Sequence, residues 1–181
     1  MSSVAASTTF RKITGLETVA LLAIAWLIPF MVHVAPWSGP RPLGAYLLPM
    51  FWATFVAVYF FGIGPALLTA LFAPAINLVV TGLPAWKFLS VVSFELVIFA
   101  CVLTWAVRRA PRFWLLAPLG YLVAKTASTL LQAATPVFGN IGAPAAFFVS
   151  SIVGVVAGLV ILAAINFALV KFYPKDARTG P

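Results

Sequence analysis

The sequence predicts an all-α, polytopic membrane protein with six transmembrane helices. This prediction depends on the composition of the chain and on the spacing of its helix-breaking residues. Hydrophobic residues fill 64% of the 181 positions and charged residues only 8%, and the mean hydropathy is +1.13. A soluble domain is typically about 45–50% apolar and about 25% charged. The hydrophobic share is about 116 residues, close to the ~120 that six helices of ~20 residues need. Clusters of helix breakers also cut the chain into six apolar runs.

The first three predicted spans end at clusters of proline and glycine, which cannot continue a helix. The first span follows the basic pair Arg11-Lys12. Its apolar run is longer than the apolar core of a signal peptide, which has roughly 7–15 residues. We therefore predict a retained helix. The second and third spans meet at the tight turn Gly62-Ile63-Gly64-Pro65. The three spans cover residues 14–33, 45–61 and 65–81.

The last three predicted spans are bounded by breakers and by charge. The fourth ends at the basic cluster Arg108-Arg109, and the fifth ends at a second Pro/Gly-rich loop. The backbone must satisfy itself inside a membrane, and no β-barrel alternation is visible, so we expect helices. These spans cover residues 85–107, 113–134 and 144–171. The chain then has an N-terminal tail, one transmembrane domain and a C-terminal tail, at 1–13, 14–171 and 172–181.

The placement of basic residues predicts the orientation of the chain. Lys and Arg collect on the cytoplasmic side of membrane proteins. Six spans place eight of the eleven basic residues on the side of the termini: Arg11, Lys12, Arg108, Arg109, Arg112, Lys171, Lys175 and Arg178. Only Arg41 and Lys87 fall on the other side. We therefore expect a multi-pass protein of the cell inner (cytoplasmic) membrane with both termini cytoplasmic.

Two charged residues lie deep inside predicted spans, far from the span ends: Glu95 in the fourth and Lys125 in the fifth. Each costs at least about 2.5–3.5 kcal/mol on insertion scales. At ~1.5 Å per residue, both lie roughly 13–15 Å below the outer surface. Since the two helices are consecutive and antiparallel, a direct ion pair is expected. It would either fix helix packing or face a ligand cavity.

Polar residues near this pair suggest an outward-facing binding site. Lys125, Ser128, Thr129 and Gln132 fall at i, i+3, i+4 and i+7, which is one face of a helix. Asn77 lies near the outer end of the third span. Such a stripe either packs on polar partners or lines a wet pocket. Trp37, in the first outer loop, would be a membrane anchor or would close over a ligand.

The layout resembles the substrate-binding S component of energy-coupling factor (ECF) vitamin transporters over residues 14–171. The resemblance rests on the six-helix length, the inward termini and the long outer loop after the first span. It also rests on Leu48-Pro49 through Phe61-Gly62-Ile63-Gly64-Pro65, which looks like the family's second helix running into a Gly/Pro turn. The family often has Ala-x-x-x-Ala in its first helix, whereas here Ala66 and Ala70 of the third span have that spacing.

This resemblance implies a vitamin or vitamin precursor bound near the outer face by outer loops and helix ends. It also implies docking on a coupling subunit driven by two ATPases. Carried over to this chain, the loop around Trp37 and Arg41 would be the gate. The candidate contacts would be Asn77, Glu95, Lys125, Gln132 and Asn140.

Absent motifs narrow the remaining functions. The sequence has no GxSxG, HExxH or Walker A motif, so we do not expect an enzyme. One Cys and one His cannot build a metal cluster, and no cofactor is expected. The basic residues lie at the ends of apolar runs, which predicts anionic lipid headgroups as partners and no nucleic acid. The alternatives to uptake are a non-transporting scaffold or assembly factor with a structural Glu95–Lys125 pair, and a small proton-linked carrier.

Overall fold

Helices are the only regular secondary structure in the described part of the protein, which confirms the predicted all-α class for that part. The computed structural model describes residues 15–36, 38–39, 43–82, 86–135 and 141–175. Within these residues eight α-helices follow one another: α1 Gly15–Val34, α2 Leu43–Leu47, α3 Pro49–Phe61, α4 Ile63–Thr81, α5 Trp86–Arg109, α6 Leu116–Ala134, α7 Pro144–Gly154 and α8 Val156–Phe172.

Two of these helices, α4 and α5, are long and apolar enough to cross a membrane. The pair α7 and α8 passes the same criterion as one span, bent by 62° at its break. Helix α3 is apolar but has 13 residues, fewer than the ~20 of a straight span. Large apolar side chains such as Leu71, Phe72 and Val79 of α4 are exposed, as expected for a surface that contacts lipid. The described helices therefore fit a membrane protein with two or three such spans.

The helix predicted over 45–61 is broken at Leu48. This residue has φ 56° and ψ 41°, in the left-handed region, which costs a residue with a side chain roughly 1–2 kcal/mol. Pro49 then begins α3, because proline suits the first helical turn and disfavours a right-handed helical residue before it. The Leu48 side chain is buried, and this burial offsets part of the backbone cost.

Small side chains let α3 and α4 approach each other closely. Ala66 and Ala70 on α4 are fully buried, and Ala53 of α3 contacts Ala73 of α4. The four-residue spacing of Ala66 and Ala70 therefore forms an internal helix contact. Gly62, with φ 86°, makes the sharp turn between the two helices, which is easily adopted without a side chain.

The longest predicted span, 144–171, is also broken, at Val155 between α7 and α8. Beyond the break, α8 passes close to the corner between α2 and α3. A Cβ atom added at Gly158 would lie 2.7 Å from the Tyr46 carbonyl oxygen and 2.8 Å from the Leu47 carbonyl carbon. Only glycine allows this backbone approach.

The end of α8 is held against α3 by Tyr59, which is almost fully buried. The Tyr59 hydroxyl donates hydrogen bonds to the carbonyl oxygens of Tyr173 at 2.7 Å and Leu169 at 3.4 Å. The Lys175 amine donates to the Tyr59 carbonyl oxygen and lies 4.8 Å from the Tyr59 ring centroid. Burial lowers the pKa of Lys175. These contacts hold the last described residues, which follow α8, against α3.

The close approach at Gly158 predicts that Gly158→Ala destabilises the fold. The new methyl group meets backbone atoms, which cannot move aside cheaply, and overpacking of this kind costs about 1–3 kcal/mol. Thermal unfolding of the purified protein in detergent measures the effect. The matched control is Gly64→Ala in α4, where a Cβ atom has nothing within 4 Å. Equal melting temperatures for the two variants would contradict this account of the α8 contact.

Candidate functional site

The predicted ion pair is present between α5 and α6. The Lys125 Nζ atom lies 2.9 Å from the Glu95 Oε1 atom. The side chains are 13% exposed for Lys125 and 6% for Glu95. Each residue lies near the middle of its helix, and the antiparallel course of α5 and α6 brings them together. The pair neutralises two charges that would be costly to bury separately.

Ser128 supplies a second hydrogen-bond donor to the carboxylate of Glu95. Its hydroxyl donates to Glu95 Oε1 at 2.5 Å, and it is fully buried, one helical turn beyond Lys125. Hydrogen bonds to an ionised acceptor are shorter and stronger than those between neutral groups. One carboxylate oxygen therefore receives an ammonium and a hydroxyl group, both from α6.

The other side chains of the polar stripe on α6 donate hydrogen bonds to backbone carbonyl oxygens of the same helix. Thr129 Oγ1 donates to the Lys125 carbonyl oxygen at 2.8 Å, and Gln132 Nε2 donates to the Ser128 carbonyl oxygen at 3.2 Å. Both residues are buried. Such bonds let short polar side chains lie in apolar surroundings without a partner from another helix.

Aromatic rings border the pair. The Lys125 Nζ atom lies 5.5 Å from the ring centroid of Phe147 in α7, within the range of a cation–π contact. Tyr121, one turn before Lys125, is buried and packs edge-on against Phe51 of α3 with centroids 4.9 Å apart. Lys125 is thus bounded by a carboxylate and by an aromatic face, and it belongs to a region where helices α3, α5, α6 and α7 converge.

This arrangement offers one cation, one anion, one hydroxyl and one aromatic ring, with no net charge. It can hold two helices in register. A small polar solute that bound here would have to replace one internal partner and offer a matching group of its own. Among the described residues, no group of three or more His, Cys, Asp or Glu could hold a metal ion.

The other residues predicted for the site have different outcomes. Asn77 is fully buried in α4. Trp37, Arg41 and Asn140 lie outside the described residues. The structure therefore brings together Glu95 and Lys125, with Thr129 and Gln132 on the adjoining turns of α6. Substrate binding by all eight candidates stays a prediction.

Phe147 and Asn166 are contacts that the sequence reasoning missed. Asn166 of α8 is fully buried, and its Oδ1 atom accepts a 2.8 Å hydrogen bond from the Ala117 amide in the first turn of α6. It thereby acts as a helix cap from a distant part of the chain. The sequence signal for Asn166 was its position as a lone polar residue within the apolar run of α8. No periodic pattern marked Phe147, because its approach to Lys125 depends on the tertiary packing of α7 against α6.

Comparisons of the chain with family models, with curated proteins and with solved structures found no match. Function must therefore be argued from the site itself.

The buried pair predicts strong coupling between Glu95 and Lys125. Glu95→Gln or Lys125→Met alone leaves one buried charge without its partner, which costs about 3–5 kcal/mol. The double variant leaves no charge, so its loss should be smaller than the summed single losses by about 0.5–3 kcal/mol. Denaturant or thermal unfolding in detergent measures all four proteins.

Thr126→Ala is the matched control for this cycle. Thr126 is the next residue along α6, is exposed, and donates only to the Leu122 carbonyl oxygen. Its replacement should change stability by less than about 0.5 kcal/mol. Strictly additive losses at Glu95 and Lys125 would show that the pair contributes no mutual stabilisation.

Proposed function

We propose that the chain is a multi-pass membrane protein with six spans and both termini in the cytoplasm. The spans would be α1, α2 with α3, α4, α5, α6, and α7 with α8. The 20 residues of α1 and the 19 of α6 support this, since ~20 helical residues cross the hydrocarbon core. The concentration of basic residues at the ends of α5 and α8 supports the orientation.

Within this frame, the proposed activity is binding of a vitamin-like small molecule for uptake, in the manner of an ECF transporter S component. The observation that carries the proposal is the Glu95–Lys125 pair at 2.9 Å, buried at mid-helix. Ionisable residues at membrane depth are expensive and usually serve a ligand, an ion or a proton.

The chemistry of the pair suggests how a solute would be held. Lys125 would receive an anionic or carbonyl group, and Glu95 together with Ser128 would receive a cation or hydrogen-bond donor. Phe147 supplies a ring next to Lys125, suited to an aromatic or heterocyclic solute. Transport would require an energy source from other subunits, and a coupling subunit with ATPases is the partner that the resemblance suggests.

A second candidate is a membrane scaffold or assembly factor that uses the pair only for packing. One observation favours it: Thr129 and Gln132 already donate to carbonyl oxygens of their own helix, and Glu95 already receives two donors. A site with its polar groups internally paired gives a solute less to gain.

Mass spectrometry of the purified protein tests the uptake proposal. We expect a small molecule to co-purify with the wild type, and the same molecule to raise its melting temperature. The double variant Glu95→Gln/Lys125→Met, which buries no unpaired charge, should lose at least about tenfold in affinity, because each lost charge-assisted hydrogen bond is worth about 1.5–3 kcal/mol.

Thr126→Ala serves as the control and should keep the ligand. If the double variant retains the ligand at wild-type affinity, the solute binds elsewhere. If no molecule co-purifies and no member of a vitamin panel shifts the melting temperature of the wild type, the scaffold is favoured.

A further inference from the structure

Two basic side chains at one end of the bundle each lie against exposed aromatic rings. The Arg109 guanidinium, in the last turn of α5, lies 5.5 Å from the Trp105 ring centroid. The Lys171 amine, in the last turn of α8, lies 5.7 Å from the Phe167 centroid and 5.6 Å from the Phe172 centroid. Both basic residues and all three rings are exposed.

The hydrogen bonds of Asn166 show that Arg109 and Lys171 lie at the same end of the molecule. Asn166 bonds to the Ala117 amide and, at 3.5 Å, to the Phe113 carbonyl oxygen. Helix α8 therefore runs beside the start of α6. The start of α6 itself comes immediately after the turn that follows Arg109. Lys171 lies five residues beyond Asn166, roughly 7 Å further along the axis. That distance carries it past the start of α6, to the level of the α5–α6 turn.

Further aromatic side chains surround this end. Phe113 and Trp114 in the α5–α6 turn are 41% and 48% exposed, and Tyr173 after α8 is 59% exposed. Exposed aromatic rings at the ends of apolar helices are typical of the interface between hydrocarbon and headgroups. Basic side chains beside such rings would lie at the depth of lipid phosphates.

We propose that Arg109 and Lys171 form a binding surface for the headgroups of anionic phospholipids. Charge complementarity supports this occupant: the chain has eleven basic and three acidic residues, so acidic side chains cannot neutralise the basic ones pairwise. Both residues end helices that are apolar enough to reach the membrane surface. Their cations also complement the negative C-terminal ends of those helices. The lateral exposure of the rings fits acyl chains and glycerol beside a phosphate better than it fits a water-soluble partner.

This surface does not depend on the solute proposed for Glu95 and Lys125. The surface is formed by α5, α6 and α8 alone. The experiment below is carried out without any solute.

Native mass spectrometry and melting curves in detergent test the surface, with phosphatidylglycerol, phosphatidylcholine and inorganic phosphate as separate additions. Wild-type protein should bind phosphatidylglycerol in preference to phosphatidylcholine, and phosphate alone should not stabilise it. Arg109→Gln/Lys171→Gln should weaken the binding of phosphatidylglycerol by about fivefold for each charge removed. Lys87→Gln is the matched control, because Lys87 is an exposed basic residue at the opposite end of α5. It should keep wild-type binding.

The variant Arg109→Lys/Lys171→Arg separates charge from folding. It keeps both cations and should keep the preference for phosphatidylglycerol. The proposal is overturned if the neutral double variant binds phosphatidylglycerol as the wild type does. Equal binding of the two lipids by the wild type overturns it too, and points to an acidic protein partner at this end. Stabilisation by inorganic phosphate as large as that by phosphatidylglycerol would identify a free anion in place of a lipid.

Discussion

A charge inside an apolar bundle needs an internal partner, and the Glu95–Lys125 ion pair supplies that partner at the interface of α5 and α6. Close packing elsewhere along the same interface keeps the two residues level. A Cβ atom at Gly120 would lie 2.9 Å from Leu103 Cδ2, so the Leu103 side chain packs directly on the backbone of Gly120. Contact at Gly120 and the ion pair further along α6 are two points on one interface. Together they fix the register of the antiparallel helices, and sliding by one residue would break both.

The same constraint explains the behaviour of the other polar groups on α6. A membrane interior offers no water to complete hydrogen bonds. Thr126 and Thr129 therefore donate to carbonyl oxygens one turn earlier, and Ser128 divides its hydroxyl between Glu95 and the Lys125 carbonyl oxygen. A sequence stripe that looks like the wall of a pocket consists, in this structure, of side chains that donate to carbonyl oxygens of α6 or to Glu95 of α5. A bound solute would have to compete with these internal bonds for Lys125 or Glu95.

The sequence was informative where structure depends on local spacing, and less so where it depends on distant packing. Helical periodicity and an antiparallel connection were enough to predict the Glu95–Lys125 contact. The breaks at Leu48 and Val155 were missed because both lie inside continuous apolar runs. At Leu48 the following proline was a local signal, but the left-handed backbone also depends on burial of the side chain. Phe147 reaches Lys125 through the packing of α7 against α6, so no pattern within α7 could have placed it at the site.

The cap that Asn166 gives to α6 joins residues 49 positions apart. The Ala117 amide is made early and its acceptor late, so during synthesis the beginning of α6 emerges before the group that completes it. Until α8 has packed beside α6, that amide must find another hydrogen-bond acceptor. The first turn of α6 is therefore completed only when α8, the last of the described helices, packs against it.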